Sequence, residues 1–276
     1  MSATGRPERE YRSAQHEGTP VSATGTAVSA DTPPQTPRDG APVLSVRRLA
    51  RAFDGVRAVD GVDFDVARGE MVAMIGPNGA GKTTCFNLIN GQLRADAGTV
   101  HVAGHDVTGL APAAVAQRRV GRTFQVAATF ASMSVRENID VARHALRQRD
   151  DAHAPDELLA RVGAPELVDR HAAALAYADA KRVELAIALA GAPVLLLLDE
   201  PTAGLSLADR TRMMEAVRAC AGGDGVAVLF TEHDMDIVFG FADRVIVLDR
   251  GRVIAAGTPT DVRADANVRR AYLGDG

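Results

Sequence analysis

Gly76 to Thr83 fit the spacing G-x-x-x-x-G-K-[ST], and Thr84 follows at once. These residue types suit one task, the gripping of a nucleotide's phosphates. A triphosphate needs backbone N–H donors on all sides, so the loop must curl, and Gly76, Gly79 and Gly81 permit the positive φ angles this requires. Between them stand Pro77, Asn78 and Ala80. Lys82 would neutralise charge on the β and γ phosphates, and the Thr83 hydroxyl would ligate Mg²⁺. Farther along, Asp199 and Glu200 are adjacent carboxylates at the end of VLLLL. They suit a division of labour, with Asp199 towards Mg²⁺ and Glu200 towards a water. Acids ending a buried strand are costly without a cation, which weakens the simpler reading as helix-capping residues. His233 stands just past a second apolar run, VAVLFTEHD. A lone histidine there suits a structural role about as well as a catalytic one. Gln125, at the end of VGRTFQ, is on position alone a polar loop residue. Phe53 is an aromatic in a chain with 4% aromatics, suited to stacking on a base or to partial burial in the core.

The elements that must position these residues follow from the apolar pattern. MVAMI before the glycine loop reads as a strand buried on both faces, and CFNLINGQL after it as a helix closed by Gly91. That helix would add the positive end of its dipole to the loop. Upstream, LSVRRLARAF and VDFDV, joined around Asp54-Gly55, read as an antiparallel hairpin or small sheet. GTVHVAG reads as a further strand and turn, and PAAVAQRR as a helix. VRENIDVARHALR, DELLARVGA and ELVDRHAAAL are helix-like with no strand signal between them. With the next helix, placed from Ala178 or Asp179 to Gly191, they predict an all-helical insertion over about residues 126–190. A helix is expected over about 208–220, ended by Gly222-Gly223. A hairpin turning at Arg250-Gly251 and one short helical tail close the chain. Asp199, Glu200 and His233 then share the carboxyl edge of a parallel sheet, where such folds bind ligands.

The 276 residues are 46% hydrophobic, enough for one large core and a small appendage. The formal charge is −4 and no dense Lys/Arg block occurs, which argues against nucleic acid as a partner. Cys85 and Cys220 are the only cysteines, too few for a disulfide framework or a zinc site and in keeping with a reducing compartment. No apolar run approaches a membrane span, and no signal-peptide core is found near Met1. Residues 1–41 are rich in Ser, Thr, Ala, Gly and Pro, repeat SATG, and read as a disordered tail.

The phosphate loop, Gln125, LAYAD, Asp199-Glu200 and His233 occur in an order that resembles the ATPase subunit of ATP-binding cassette (ABC) transporters. The resemblance covers 43–276. It implies a P-loop NTPase fold of the α/β class: a parallel-sheet core, an N-terminal antiparallel β subdomain and an all-helical insertion subdomain. FNLINGQL, GRTFQ, TEHDM and RRAYLG are most similar to the ATPases of branched-chain amino acid importers. The resemblance implies ATP and Mg²⁺ as cofactors, with Thr83, Gln125 and Asp199 on the metal. By the same token Phe53 stacks on adenine, Gly76 to Thr84 form the Walker A loop, and Gln125 senses the membrane partner. Glu200 polarises water, Ala203 to Ser206 form the loop crossing to the partner, and His233 contacts the γ-phosphate. The implied partners are multi-span permease subunits, a second ABC ATPase and a solute-binding protein. The implied place is the cytoplasmic face of the plasma membrane, held through the permeases. An exporter or lipid-transport ATPase, or an ABC regulator outside transport, are the alternatives. One motif departs from the family. Where LSGGQ or LSYGQ is usual, this chain has Leu175, Ala176, Tyr177, Ala178 and Asp179. The serine hydroxyl is gone, a Cβ replaces a glycine hydrogen, and a carboxylate stands where the partner's phosphates would dock.

Overall fold

A computed structural model describes residues 40–123 and 129–273. The expected tail, Gln125 and the start of the expected insertion therefore lie outside the described residues, apart from Gly40 and Ala41. Two sheets carry the fold. In the first, β1 (Leu44–Phe53) and β2 (Val56–Val66) form the expected hairpin. β4 (Ala97–Val102) and β5 (His105–Asp106) extend it to an antiparallel sheet of order β2-β1-β4-β5. The second strand is longer than VDFDV, because its pairing with β1 continues back to Val56, opposite Phe53.

The second sheet has the order β10-β9-β3-β8-β7-β6. β3 (Met71–Ile75), β6 (Val120–Arg122), β7 (Leu195–Asp199), β8 (Ala227–Thr231) and β9 (Arg244–Asp249) run parallel. β10 (Arg252–Gly257) returns antiparallel at the edge through the predicted Arg250-Gly251 turn. β3, β7 and β8 are buried at every position, as continuous apolar runs require when both faces are covered. Alternate side chains divide them between two cores. Met71, Ala73 and Ile75 join Leu196, Leu198, Val228 and Phe230 beneath one set of helices. Val72 and Met74 join Leu195, Leu197 and Leu229 against the antiparallel sheet and α1 (Lys82–Ile89). Cys85 and Cys220 are buried free thiols, and burial pushes Cys85 up to about 12.

After α2 (Pro112–Gln117) and β6, the described part of the insertion holds α3 (Val135–Ala145), α4 (Pro155–Arg161) and α5 (Tyr177–Leu189). A full capping box at Ser134 and Glu137 starts α3. ELVDRHAAAL departs from expectation: it makes 3₁₀ turns at Pro165–Leu167 and Ala172–Ala174. Between them His171 bridges to Ser134 as an isolated β-bridge, which takes the backbone out of helical register. α6 (Leu207–Asp224) also differs, running through Gly222-Gly223 and ending at Gly225 in the left-handed region. The C-terminal tail is two helices, α8 (Pro259–Ala264) and α9 (Ala266–Leu273), after α7 (Met235–Phe241). Among the described residues, no helix is long and apolar enough to cross a membrane.

α5 lies hard against β6 because of Gly121. A Cβ there would sit 2.4 Å from the Ala188 carbonyl and 2.8 Å from Leu196 Cδ2. Gly121→Ala is expected to destabilise the fold by about 1–3 kcal/mol, the usual range for overpacking. Chemical denaturation checks this, and an unchanged midpoint would contradict so close an approach.

Candidate active site

The loop from Gly76 to Gly81 leaves β3 and enters α1, whose N-cap is Gly81. Its curl is wedged between both sheets. A Cβ on Gly76 would lie 2.2 Å from the Leu248 carbonyl of β9. One on Gly81, at φ +104, would lie 2.2 Å from the Ala58 carbonyl of β2. Backbone bonds tie the same point together: Gly251 N donates to Ala80 O at 2.9 Å, and Asp60 N to Gly251 O at 2.8 Å. The loop borders a cleft of about 420 Å³ that Thr83, Thr84, Glu200, His233 and Ala58 also line.

Lys82 reaches back over the loop, donating to Gly76 O at 2.6 Å and Pro77 O at 3.1 Å. Burial pulls its ammonium below the ordinary lysine value, while Glu200 and Asp199 act in the opposite direction. The cation thus faces the two acids.

Asp199 is buried at the end of β7, in register with Thr231 at the end of β8. Thr231 Oγ1 donates to Asp199 Oδ1 at 2.7 Å and accepts from Glu200 N at 3.0 Å. Asp199 Oδ2 lies 3.8 Å from Arg122 Nη2, beyond hydrogen-bond reach. Burial lowers the Arg122 guanidinium, and the Asp199 charge works against that. Among the described residues no group of three or more His, Cys, Asp or Glu side chains could hold a metal. The oxygen donors beside the loop, a buried carboxylate and the Thr83 hydroxyl, instead fit a hard ion that keeps waters and phosphate ligands, as Mg²⁺ does.

Glu200 adopts φ +50, a left-handed conformation rare for a residue with a side chain. That turn presents its carboxylate to His233, whose Nε2 is 2.9 Å from Glu200 Oε1. The neighbouring Glu232 is buried and holds the loop after Glu200, accepting from Thr202 N at 2.8 Å and Thr202 Oγ1 at 2.7 Å. Burial pushes the Glu232 carboxyl up, and those hydrogen bonds oppose the shift.

The structure therefore brings together Gly76 to Thr84, Asp199, Glu200 and His233. Phe53 is exposed at the end of β1, with the Arg51 guanidinium 4.9 Å from its ring centre, and is not among the residues that line the cleft. Gln125 lies outside the described residues. Sequence reasoning missed Thr231, Thr202, Glu232, Arg122 and Ala58. Thr231 was open to discovery, since two buried strands of matching length end in Asp199 and Thr231. Ala58 carried no signal.

A family model described as ABC transporter matches residues 59–203. LivG of Salmonella typhimurium, a high-affinity branched-chain amino acid transport ATP-binding protein, is 36% identical over 252 residues, covering 85% of this chain and 98% of LivG. The chain belongs to the ABC transporter family. It is an ATP-binding cassette, and cassettes of this family hydrolyse ATP to drive transport. A second family model, Branched-chain amino acid ATP-binding cassette transporter, matches residues 252–276. LptB of Escherichia coli, the lipopolysaccharide export system ATP-binding protein, is 36% identical over 241 residues, or 84% of this chain and 97% of LptB. Among solved structures, the ADP conformation of MJ1267, an ABC transporter cassette, aligns with TM-score 0.76 and 29% identity over 86% of this chain and all of that one.

Removing the ammonium should expose its part in nucleotide binding by this cassette. Lys82→Ala is expected to weaken ATP binding about ten- to a hundredfold, the worth of a hydrogen bond to a charged group. Titration with a fluorescent ATP analogue reads this, and unchanged affinity would contradict the placement of phosphate beside Lys82.

Proposed function

We propose that this cassette binds MgATP between Gly76–Thr84 and Asp199 and powers an importer of branched-chain amino acids or related small polar solutes. The Glu200–His233 pair at 2.9 Å, across the cleft from the phosphate loop, carries the reading. Lys82, with the loop amides and the first turn of α1, holds the β and γ phosphates. Thr83 and Asp199, with Gln125, hold the metal, which neutralises charge spread over those phosphates. Glu200 accepts hydrogen bonding from the attacking water, and His233 orients Glu200 and meets the γ-phosphate. Phosphoryl transfer to water needs little covalent help, so positioning and charge do most of the work. Phe53 stacks on adenine once its ring is released from Arg51.

Support for import comes from LivG, named for branched-chain amino acid transport, and from the family model over 252–276. LptB is similar enough that export of a lipid remains the competing reading. The cassette works on the cytoplasmic face of the plasma membrane with permease subunits, a solute-binding protein and a second ATPase. Residues 1–41 form a tail outside the ATPase domain of 43–276, whose helical insertion spans about 126–190.

In a head-to-tail dimer, Leu175 to Asp179 face the partner's ATP. Ala176 is the N-cap of α5 and offers no side-chain hydrogen bond. Ala178 adds a Cβ. Asp179 is ion-paired with Arg182, whose other nitrogen donates to Gly163 O at 2.8 Å. The carboxylate is thus neutralised within its own helix, and repulsion of the partner's phosphate is weaker than the bare sequence implies. The missing serine donor remains, worth about ten- to a hundredfold in rate at the partner's site.

Glu200→Gln is expected to keep ATP bound and to cut phosphate release at least about a hundredfold. In a heterodimer the matching change in the partner subunit should cost less; equal losses would rule out the asymmetry. Uptake of radiolabelled leucine should vanish in a strain lacking the gene and return with it. Unaltered uptake would overturn branched-chain amino acids as the solute and leave the related small polar solutes.

A further inference from the structure

Glu200 holds a left-handed backbone conformation that persists only where surrounding contacts fix it. Most of those contacts come from β8 and the segment carrying His233. Glu200 N donates to Thr231 O at 3.2 Å and to Thr231 Oγ1 at 3.0 Å. Thr202 is held by Glu232. Arg210 donates to Leu205 O at 2.9 Å and pairs with Asp234 at 2.7 Å. One contact arrives from a different part of the fold. Tyr177 Oη donates to Ala203 O at 3.1 Å.

Tyr177 is the first residue of α5, the helix that packs on α3 and α4 of the insertion. Tyr177 is 51% exposed, so burial does not account for its placement. The ring lies against Gly204, at φ +74, where a Cβ would come within 3.1 Å of Tyr177 Cε1. The peptide it pins is one link from Glu200, because Ala203 N donates to Glu200 O at 3.2 Å. Three hydrogen bonds therefore run from the start of α5 to the catalytic centre: Tyr177 to Ala203, Ala203 to Glu200, and Glu200 to His233.

We propose that Tyr177 is a positioning residue for hydrolysis, tying the placement of α5 to the backbone that sets the Glu200 carboxylate. A shift of the insertion that moves the α5 N-terminus stretches the Tyr177–Ala203 bond and loosens residues 201–205. Glu200 then loses one of the contacts that hold its strained turn. Although the Leu175–Asp179 segment faces the partner's ATP in the proposed dimer, the Tyr177 hydroxyl is turned to the Ala203 carbonyl of its own chain and acts through that backbone. Turnover should therefore feel its loss while ATP affinity does not. This inference rests on the reading of Glu200 as the residue that polarises water.

The test is steady-state phosphate release against ATP concentration in the assembled transporter, with thermal melting of each purified variant. Tyr177→Phe, which removes only the hydroxyl, is expected to lower kcat about three- to tenfold, in line with one neutral hydrogen bond. KM for ATP should stay within about twofold and the melting temperature within about 2 °C. Unchanged kcat in Tyr177→Phe overturns the proposal. So does a rise in KM at constant kcat, which would mean direct contact with nucleotide, or a fall in melting temperature that accounts for the lost activity. Glu200→Gln runs alongside. If it retains full turnover, the reading of Glu200 fails and this inference with it. If it is inactive while Tyr177→Phe matches the unaltered protein, only the role of Tyr177 fails.

Discussion

The whole arrangement depends on one backbone curl with no room for side chains at its two ends. Gly76 abuts the Leu248 carbonyl and Gly81 the Ala58 carbonyl, each so closely that a single carbon would collide. The parallel sheet and the antiparallel sheet therefore meet at the phosphate loop, and α1 starts there. The two sheets hold the loop from both sides. The backbone of the loop is thus fixed by the fold itself.

Charge is arranged around that curl with the same economy. Lys82 is buried against loop carbonyls and faced by Asp199 and Glu200. Thr231 serves both acids, donating to the Asp199 carboxylate and accepting the Glu200 amide. The register of β7 with β8 thus fixes both carboxylates at once. Glu200 takes a strained turn to reach His233, and the loop behind it is fastened by Thr202, Arg210 and Tyr177. Strain at the acid and reinforcement of its loop belong to one design.

Much of this was legible in the residues. Continuous apolar runs at Met71–Ile75, Leu195–Asp199 and Ala227–Thr231 marked the central strands, because a sheet covered on both faces leaves no alternation. The glycine spacing and Lys82-Thr83 marked the loop, and strand ends marked Asp199, Glu200 and His233. Other features were decided by contacts far apart in sequence. Gly222-Gly223 read as a helix stop, yet α6 runs through them, although its burial ends at Ala221, and stops at Gly225, which takes the left-handed conformation and donates to Cys220 O. ELVDRHAAAL has helical composition, but the bridge from His171 to Ser134 holds it open. Thr231 and Glu232 gain their roles only once β7 and β8 are paired. Asp179 appeared as a lone carboxylate until the fold placed Arg182 beside it.

A crystal structure of the Glu200→Gln protein with ATP and Mg²⁺ bears most directly on the central claim. The phosphates should lie within the curl from Gly76 to Thr83, and Lys82 Nζ should leave the Gly76 and Pro77 carbonyls for the β and γ phosphate oxygens. A structure in which Lys82 keeps those carbonyls while the triphosphate sits outside the curl would contradict it.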